Sequence, residues 1–190
     1  TVIVSQEEPL IYSFDPQKKK LLSFRIPKNT QVQTSGGYGP WLAGSLWDLG
    51  RQEGKDGELL RLSMQKSLGI PIDAWINNDG ASYFGNNPLG WISASWKAIF
   101  KGETKTNLTF FDRAALIFNI GGLSVRDRKE IELEAFGIIV PSKLSDGLKG
   151  YIVIPEKAKV SLDSLRDDLV FKEEKKITIT NTTTRGGLAL

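Results

Sequence analysis

Cations and carboxylates carry whatever chemistry this chain does. It holds 25 lysines and arginines, 22 aspartates and glutamates, and neither histidine nor cysteine. Without imidazole there is no histidine general acid or base and no His-ligated zinc or iron. Without thiols there are no disulfides and no thiolate nucleophile. What remains is anion recognition by ammonium and guanidinium groups, with carboxylates as ligands for a hard, magnesium-like ion. The position that draws attention is Lys28, which with Arg25 flanks Pro27 and is followed by Asn29 and Thr30. An α/β enzyme commonly places its chemistry at such a strand end. Lys28 and Arg25 suit a phosphate there, although solvated strand-end cations need no function at all. Arg25 and Phe24 must face opposite ways, because strand side chains alternate. Arg51 and Arg61 are further candidates for an anionic groove, against the plainer reading of solubilising surface charge.

The elements that position these residues follow from periodicity. Leu10, Tyr12 and Phe14, then Leu22, Phe24 and Ile26, alternate with the two-residue period of a strand. Asp15-Pro16 with Gln17 to Lys20 supplies the turn between them, and Pro27, lacking an N–H, ends the second strand. Val2 to Val4 is strand-like. Pro40 to Gln52 has helical spacing, and Asp56 is placed to cap a helix that Gly69 stops. Ile72 to Asn77 reads as a strand and Leu89 to Phe100 as an amphipathic helix. Thr109 with Asp112 forms an acidic capping box, opening a helix that closes at Gly121-Gly122. Ser124 begins a short basic helix before an extended Ile131 to Val140. Tyr151 to Ile154 is a strand and Ser161 to Leu169 a short helix. Alternating strands and helices predict an α/β fold, a three-layer α/β/α sandwich with a central mixed sheet flanked by helices.

The 190 residues, 40% hydrophobic and 25% charged, suit one substantial core. A net charge of +3 is a mild basic bias, compatible with anionic lipids, polymers or phosphates. There is no recognition-helix motif and no strongly basic stripe, so nucleic acid is not an expected partner. No apolar run approaches the roughly twenty residues of a membrane span. The opening on Thr1 without methionine is read as that of an excised ectodomain.

From Pro9 to Asn78 the sequence resembles the LytR-CpsA-Psr family of envelope phosphotransferases. That family's strand, Asn-Pro, lysine-rich turn, second strand and Ile-Pro-Arg-Asp-Thr stand here as Phe14-Asp15-Pro16, the lysine run, and Ile26-Pro27-Lys28-Asn29-Thr30. The glycine-rich loop at Gly36 to Tyr38, the segment Leu42 to Trp47, and Leu68 to Asp73 keep the family's order. The resemblance implies arginines that grip a pyrophosphate and carboxylates that hold a divalent metal. The arginine of the motif is Lys28 here and its aspartate is Asn29. The earlier Arg-Thr-Asp-Thr element falls at Ser5 to Glu8, where Glu7 alone mimics the acid. Arg126-Asp127-Arg128, preceded by Arg113, is the nearest approach to a late Arg-x-Arg motif. Bottom-up, these arginines are also plain helix-surface charges. The resemblance implies an apolar tunnel for a polyprenyl chain as well, with Trp41, Trp47, Trp75, Trp91, Trp96 and Phe110 as candidate walls and Phe84 and Phe111 beside them. Ordinary core filling is the alternative.

Several lost guanidinium and carboxylate groups in one site predict lost catalysis. The expectation is therefore a catalytically degenerate relative, a binding or scaffolding module of cell-envelope biogenesis in bacteria, with no cofactor and no metal. The rival expectation is an active phosphotransferase that moves a glycopolymer from a polyprenyl-pyrophosphate carrier to the wall, with Mg2+ and with Lys28, Arg25 and Glu7 at its centre. Either way the resemblance implies an extracytoplasmic domain, held to the membrane by an N-terminal anchor, with a polyprenyl lipid or an anionic wall polymer as partner. Residues 1–175 are expected to form this domain. Residues 176–190, with the Asn181, Thr183 and Gly187-Leu188-Ala189 signature, resemble the start of a LytR C-terminal-like domain.

Overall fold

The computed structural model describes residues 1–5, 7–77, 105–144 and 147–160. The expected helices at Leu89 to Phe100 and Ser161 to Leu169, and the segment 176–190, lie outside the described residues.

Strands β1 (Val2–Val4), β2 (Leu10–Asp15), β3 (Lys20–Arg25), β6 (Ala74–Ile76) and β7 (Arg128–Ile131) form a mixed sheet in the order β6-β1-β2-β3-β7. Its register places Trp75, Ile3, Ile11, Phe24 and Ile131 as successive cross-strand partners, a single apolar row across five strands. All five are buried in one core with Leu46 and Leu49 of α1 (Leu46–Gln52) and Leu59, Leu60, Met64 and Leu68 of α2 (Gly57–Leu68). The opposite face carries Val2, Val4, Leu21, Ala74 and Ile76, buried against Ile117 and Ile120 of α3 (Phe110–Gly121). Helices thus cover both faces, and the α/β reading with flanking helices stands. Each large side chain buried this way contributes about 1.5–3 kcal/mol relative to exposure.

The described strands divide between two hydrogen-bonded sheets, where one central sheet was expected. Strands β4 (Thr30–Gln33), β5 (Pro40–Leu42), β8 (Ile139–Lys143) and β9 (Lys149–Val153) form a second mixed sheet in the order β5-β4-β9-β8. Pro27 is the cause: it cannot extend the ladder, and the Thr30 amide bonds back to the Pro27 carbonyl at 2.9 Å, turning the chain out of the first sheet. Val32, Ile138 and Ile139 return this second sheet to the α1–α2 core.

Local signals held where the chemistry was local. The Asp15 carboxylate accepts from the Gln17 and Lys18 amides, closing the predicted turn. Thr109 and Asp112 cap α3 reciprocally, each side chain accepting from the other's amide at 3.2 Å. Gly69 ends α2 in the left-handed conformation. Three expectations need correction. The helix over Pro40 to Gln52 begins only at Leu46, after a 3-10 turn at Ala43–Ser45, because Pro40–Leu42 pairs with β4. Asp56 precedes α2 but its side chain makes no cap; its backbone lies at φ 43°, pressed onto Gly50. The run Ile131 to Val140 is broken by a turn, in which the Ile138 amide bonds to the Leu133 carbonyl with Gly137 at φ 64°. No helix among the described residues is long and apolar enough to cross a membrane.

Candidate functional site

Three segments meet where β1 and β3 end. Beyond β1 the chain presents Glu7, and beyond β3, past Pro27, it presents Lys28. The Lys28 ammonium donates directly to a Glu7 carboxylate oxygen. The third segment is the 3-10 turn after β5, whose Gly44 amide donates to the Lys28 carbonyl at 3.0 Å. A Cβ on Gly44 would lie 2.8 Å from the Glu7 carbonyl oxygen and 2.8 Å from the Lys28 Cβ, so only glycine lets the three backbones approach this closely. Both charged side chains remain open to solvent, Lys28 60% and Glu7 75% exposed, so a ligand can reach them. The hydrogen bond, and then the opposite charge, hold the Glu7 carboxyl below its ordinary range and Lys28 above its own. Glu8 adds to the field on Lys28.

The remaining expected site residues scatter. Asn29 turns toward the second sheet: its Nδ2 donates to the Lys149 carbonyl at 3.3 Å, and its own carbonyl accepts from the Tyr151 amide at 3.1 Å. It fastens β4 to β9. Arg25 is exposed and projects from the face opposite Phe24, as alternation requires. There it acts with Arg128 on Tyr12, whose hydroxyl burial pushes up to about 12 while the two guanidinium charges pull it down. Arg128 stands in β7, and not on a helix surface, with a 3.4 Å bond to the Ile120 carbonyl. Arg61 is committed to the scaffold: it grips Glu58 with two nitrogens, at 2.5 and 3.0 Å, and the Ile72 carbonyl at 2.5 Å. Arg51 pairs loosely with Asp48 at 3.9 Å on the surface of α1. Arg126 is exposed in the 3-10 turn Val125–Asp127. Arg113 lies on α3 with its Nε buried and unpartnered among the described residues.

No sequence-family profile and no curated protein sequence matches the chain. Solved structures do. Bacillus subtilis TagV superposes with a TM-score of 0.61 at 11% identity, over 87% of this chain and 95% of that one. TagT bound to LIIa-WTA gives 0.60 at 13%, over 88% and 89%. The LytR-CPS2A-psr family protein YwtF (TagT) with bound octaprenyl pyrophosphate lipid gives 0.57 at 13%, over 88% and 89%. By fold, the chain is a LytR-CpsA-Psr-like domain.

Within this LytR-CpsA-Psr-like domain, sequence reasoning named Glu7 and Lys28 separately and missed their pairing and its glycine. The signal was available in Ala43-Gly44-Ser45, small residues inside a segment read as helix. Trp47 and Trp75 pack edge to face at 5.5 Å, with Gly57 tucked against both rings, as core. Trp41 and Phe110 are 38% and 47% exposed, and Phe111 is more exposed still. Trp91, Trp96 and Phe84 lie outside the described residues. A groove of about 420 Å³ does run between α3 and the first sheet, walled by Phe14, Ala74, Leu108 and Leu116 with Asp73 and Asp112 at its rim.

Proposed function

We propose that this domain is a phosphotransferase of the cell envelope, moving a glycan from a polyprenyl-pyrophosphate carrier to a wall acceptor. The observation that carries the reading is the Glu7–Lys28 pair, open to solvent at the ends of β1 and β3. By the sequence resemblance, its two residues stand where the family has its acid and its motif arginine. Support also comes from the solved relative of this fold that holds octaprenyl pyrophosphate.

The chemistry follows from the pair. An incoming pyrophosphate offers Lys28 more negative charge than one carboxylate does, so the ammonium transfers its bonds to the phosphate oxygens. Glu7, released, loses the partner that held its pKa down and becomes the better proton acceptor. The acceptor's hydroxyl oxygen attacks the glycan-side phosphorus and its proton passes to Glu7. The bond from that phosphorus to the bridging oxygen breaks, and polyprenyl phosphate leaves with the electron pair. Lys28 stabilises the charge on the departing phosphate. A magnesium ion here would be held by Glu7 and by the substrate's own phosphate oxygens, since no three acidic side chains cluster among the described residues; it would add charge stabilisation, and no step is routed through it.

A second reading is a binding module without turnover. It is favoured by Lys28 being a point charge where the family uses a bidentate guanidinium, with Arg25 on the opposite sheet face and Arg61 locked to Glu58. Incubation with a polyprenyl-pyrophosphate glycan donor and an acceptor glycan separates the two. Release of polyprenyl phosphate, lost in Lys28→Ala, is the outcome for the enzyme; retention of intact donor is the outcome for the module. In either reading the domain works outside the cytoplasmic membrane and meets no nucleic acid.

A further inference from the structure

We infer that the loop preceding the Gly44 turn carries a sugar-stacking platform built on Trp41, which holds a pyranose ring of the glycan beside the Glu7–Lys28 pair. The inference rests on the glycan-handling reading above and adds a subsite to it.

Trp41 differs from the other described tryptophans. Trp47 and Trp75 are packed into the core, whereas Trp41, on edge strand β5, is 38% exposed. It is exposed but not loose. Its indole Nε1–H donates to the Tyr38 carbonyl at 3.0 Å, which fixes the ring plane. The Tyr38 hydroxyl in turn donates to Glu53 at 2.9 Å and accepts from Lys55 at 3.1 Å, and the Lys55 ammonium sits 5.0 Å above the Tyr38 ring. The loop beneath is held at both ends. Thr34 bonds the Gly39 carbonyl through its amide at 3.2 Å and its hydroxyl at 2.8 Å, and the Ser35 amide donates to Ser63 of α2 at 3.0 Å.

This sequence dictates such a loop. Gly36, Gly37 and Gly39 adopt φ of 97°, 85° and 78°, a conformation that side-chain-bearing residues avoid. A Cβ on Gly37 or Gly39 would meet nothing within 4 Å, so the loop tip leaves open space around its aromatics. The outcome is a fixed, partly exposed indole on a loop that also carries the Tyr38 hydroxyl with its Glu53 and Lys55 partners. A ring already immobilised loses little entropy on binding, and an amphipathic aromatic gives large contact area for two torsions.

A pyranose matches this arrangement. Its C–H face is apolar and its rim hydroxyls donate to a carboxylate and accept from an ammonium. The location also matches a glycan substrate. Two residues separate Trp41 from Gly44, whose amide is bonded to Lys28, so at about 3.3 Å per extended residue the Trp41 backbone lies within roughly 10 Å of the Gly44 backbone. A saccharide attached to a phosphate at Lys28 has the reach to lie across Trp41.

Calorimetric titration with chitotetraose and with cellotetraose tests this without any lipid donor. Stacking reads the C–H face and not the substituents, so the wild-type domain binds both saturably. Trp41→Ala weakens binding at least tenfold, Trp41→Phe retains most of it, and Phe136→Ala, at another exposed aromatic, leaves it unchanged; thermal melts confirm that the variants fold. Absence of saturable binding of both saccharides, or Trp41→Ala binding like wild type, overturns the platform. Loss in Trp41→Phe equal to that in Trp41→Ala overturns it too. The phosphotransferase reading is scored separately by lipid phosphate release: release with no saccharide binding removes the platform alone, and saccharide binding with no release removes the enzyme reading alone.

Discussion

Gly44 and Lys28 touch through their backbones: the glycine amide donates to the lysine carbonyl at 3.0 Å, and a methyl on Gly44 would sit 2.8 Å from the Lys28 Cβ. The absence of a side chain at one residue therefore fixes where the ammonium of another emerges. Gly44→Ala must push apart the segments after β1 and β3, because its second close neighbour is the Glu7 carbonyl and backbone cannot swing aside. We expect a loss of about 1–3 kcal/mol, in the range of overpacked sites, by urea denaturation. Donor binding should fall with it, whereas Gly122→Ala, which meets only ordinary van der Waals contact at the end of α3, should leave donor binding intact.

The Glu7–Lys28 contact has a pH signature. Glu7 has a folded pKa below its ordinary 4.5, so its contribution is present above that value and is lost as pH falls through the depressed folded value. Lys28 has a folded pKa above its ordinary 10.5, so its contribution is complete below that value and is lost as pH rises through the raised one. The pair is thus intact across the neutral range. Carboxyl-detected NMR should find Glu7 titrating below an ordinary glutamate, and Lys28→Ala should return it upward. An unchanged Glu7 titration in that variant would show the two side chains apart in solution.

Arg61 should behave as scaffold. It ties Glu58 of α2 to the Ile72 carbonyl just before β6, and its side chain is only 17% exposed. Arg61→Ala leaves that carbonyl without its side-chain donor and Glu58 without its cation, a loss of about 1–3 kcal/mol expected in chemical denaturation. Donor binding measured on the folded variant should be unchanged. A selective loss of binding would place Arg61 in the site after all.

Legibility in the sequence tracked the range of the interaction. The Asp15 turn, the Thr109–Asp112 box and the Gly69 stop are set by residues within four positions of one another, and the β2–β3 hairpin follows from its alternation on either side of that turn; all are readable from order alone. Pro40–Leu42 was misread because Trp41 and Leu42 fall at helical spacing, while pairing to β4 overrode that preference. The division into two sheets depends on where the chain goes after Pro27, which no periodicity records. At the site, Glu7 and Lys28 were legible as residue types in motif positions. Their contact spans 21 residues and depends on Gly44, so only the fold reveals it. The arginines were misleading for the same reason: composition supplies guanidinium groups, and register then sends Arg25 and Arg128 to the far face and Arg61 into the scaffold.

The central claim is that Lys28, drawn from Glu7 by a pyrophosphate, supports phosphoryl transfer. Its most direct test is a single-turnover assay with a radiolabelled polyprenyl-pyrophosphate glycan and an acceptor glycan, comparing wild type, Lys28→Ala, Lys28→Arg and Glu7→Gln. The account predicts polyprenyl phosphate release by wild type, loss of at least a hundredfold in Lys28→Ala, within the range for removing a charge-stabilising donor, and release retained in Lys28→Arg. Glu7→Gln should slow the chemical step while leaving donor binding near wild type. Equal release by wild type and Lys28→Ala, or none by wild type with donor bound, would contradict it.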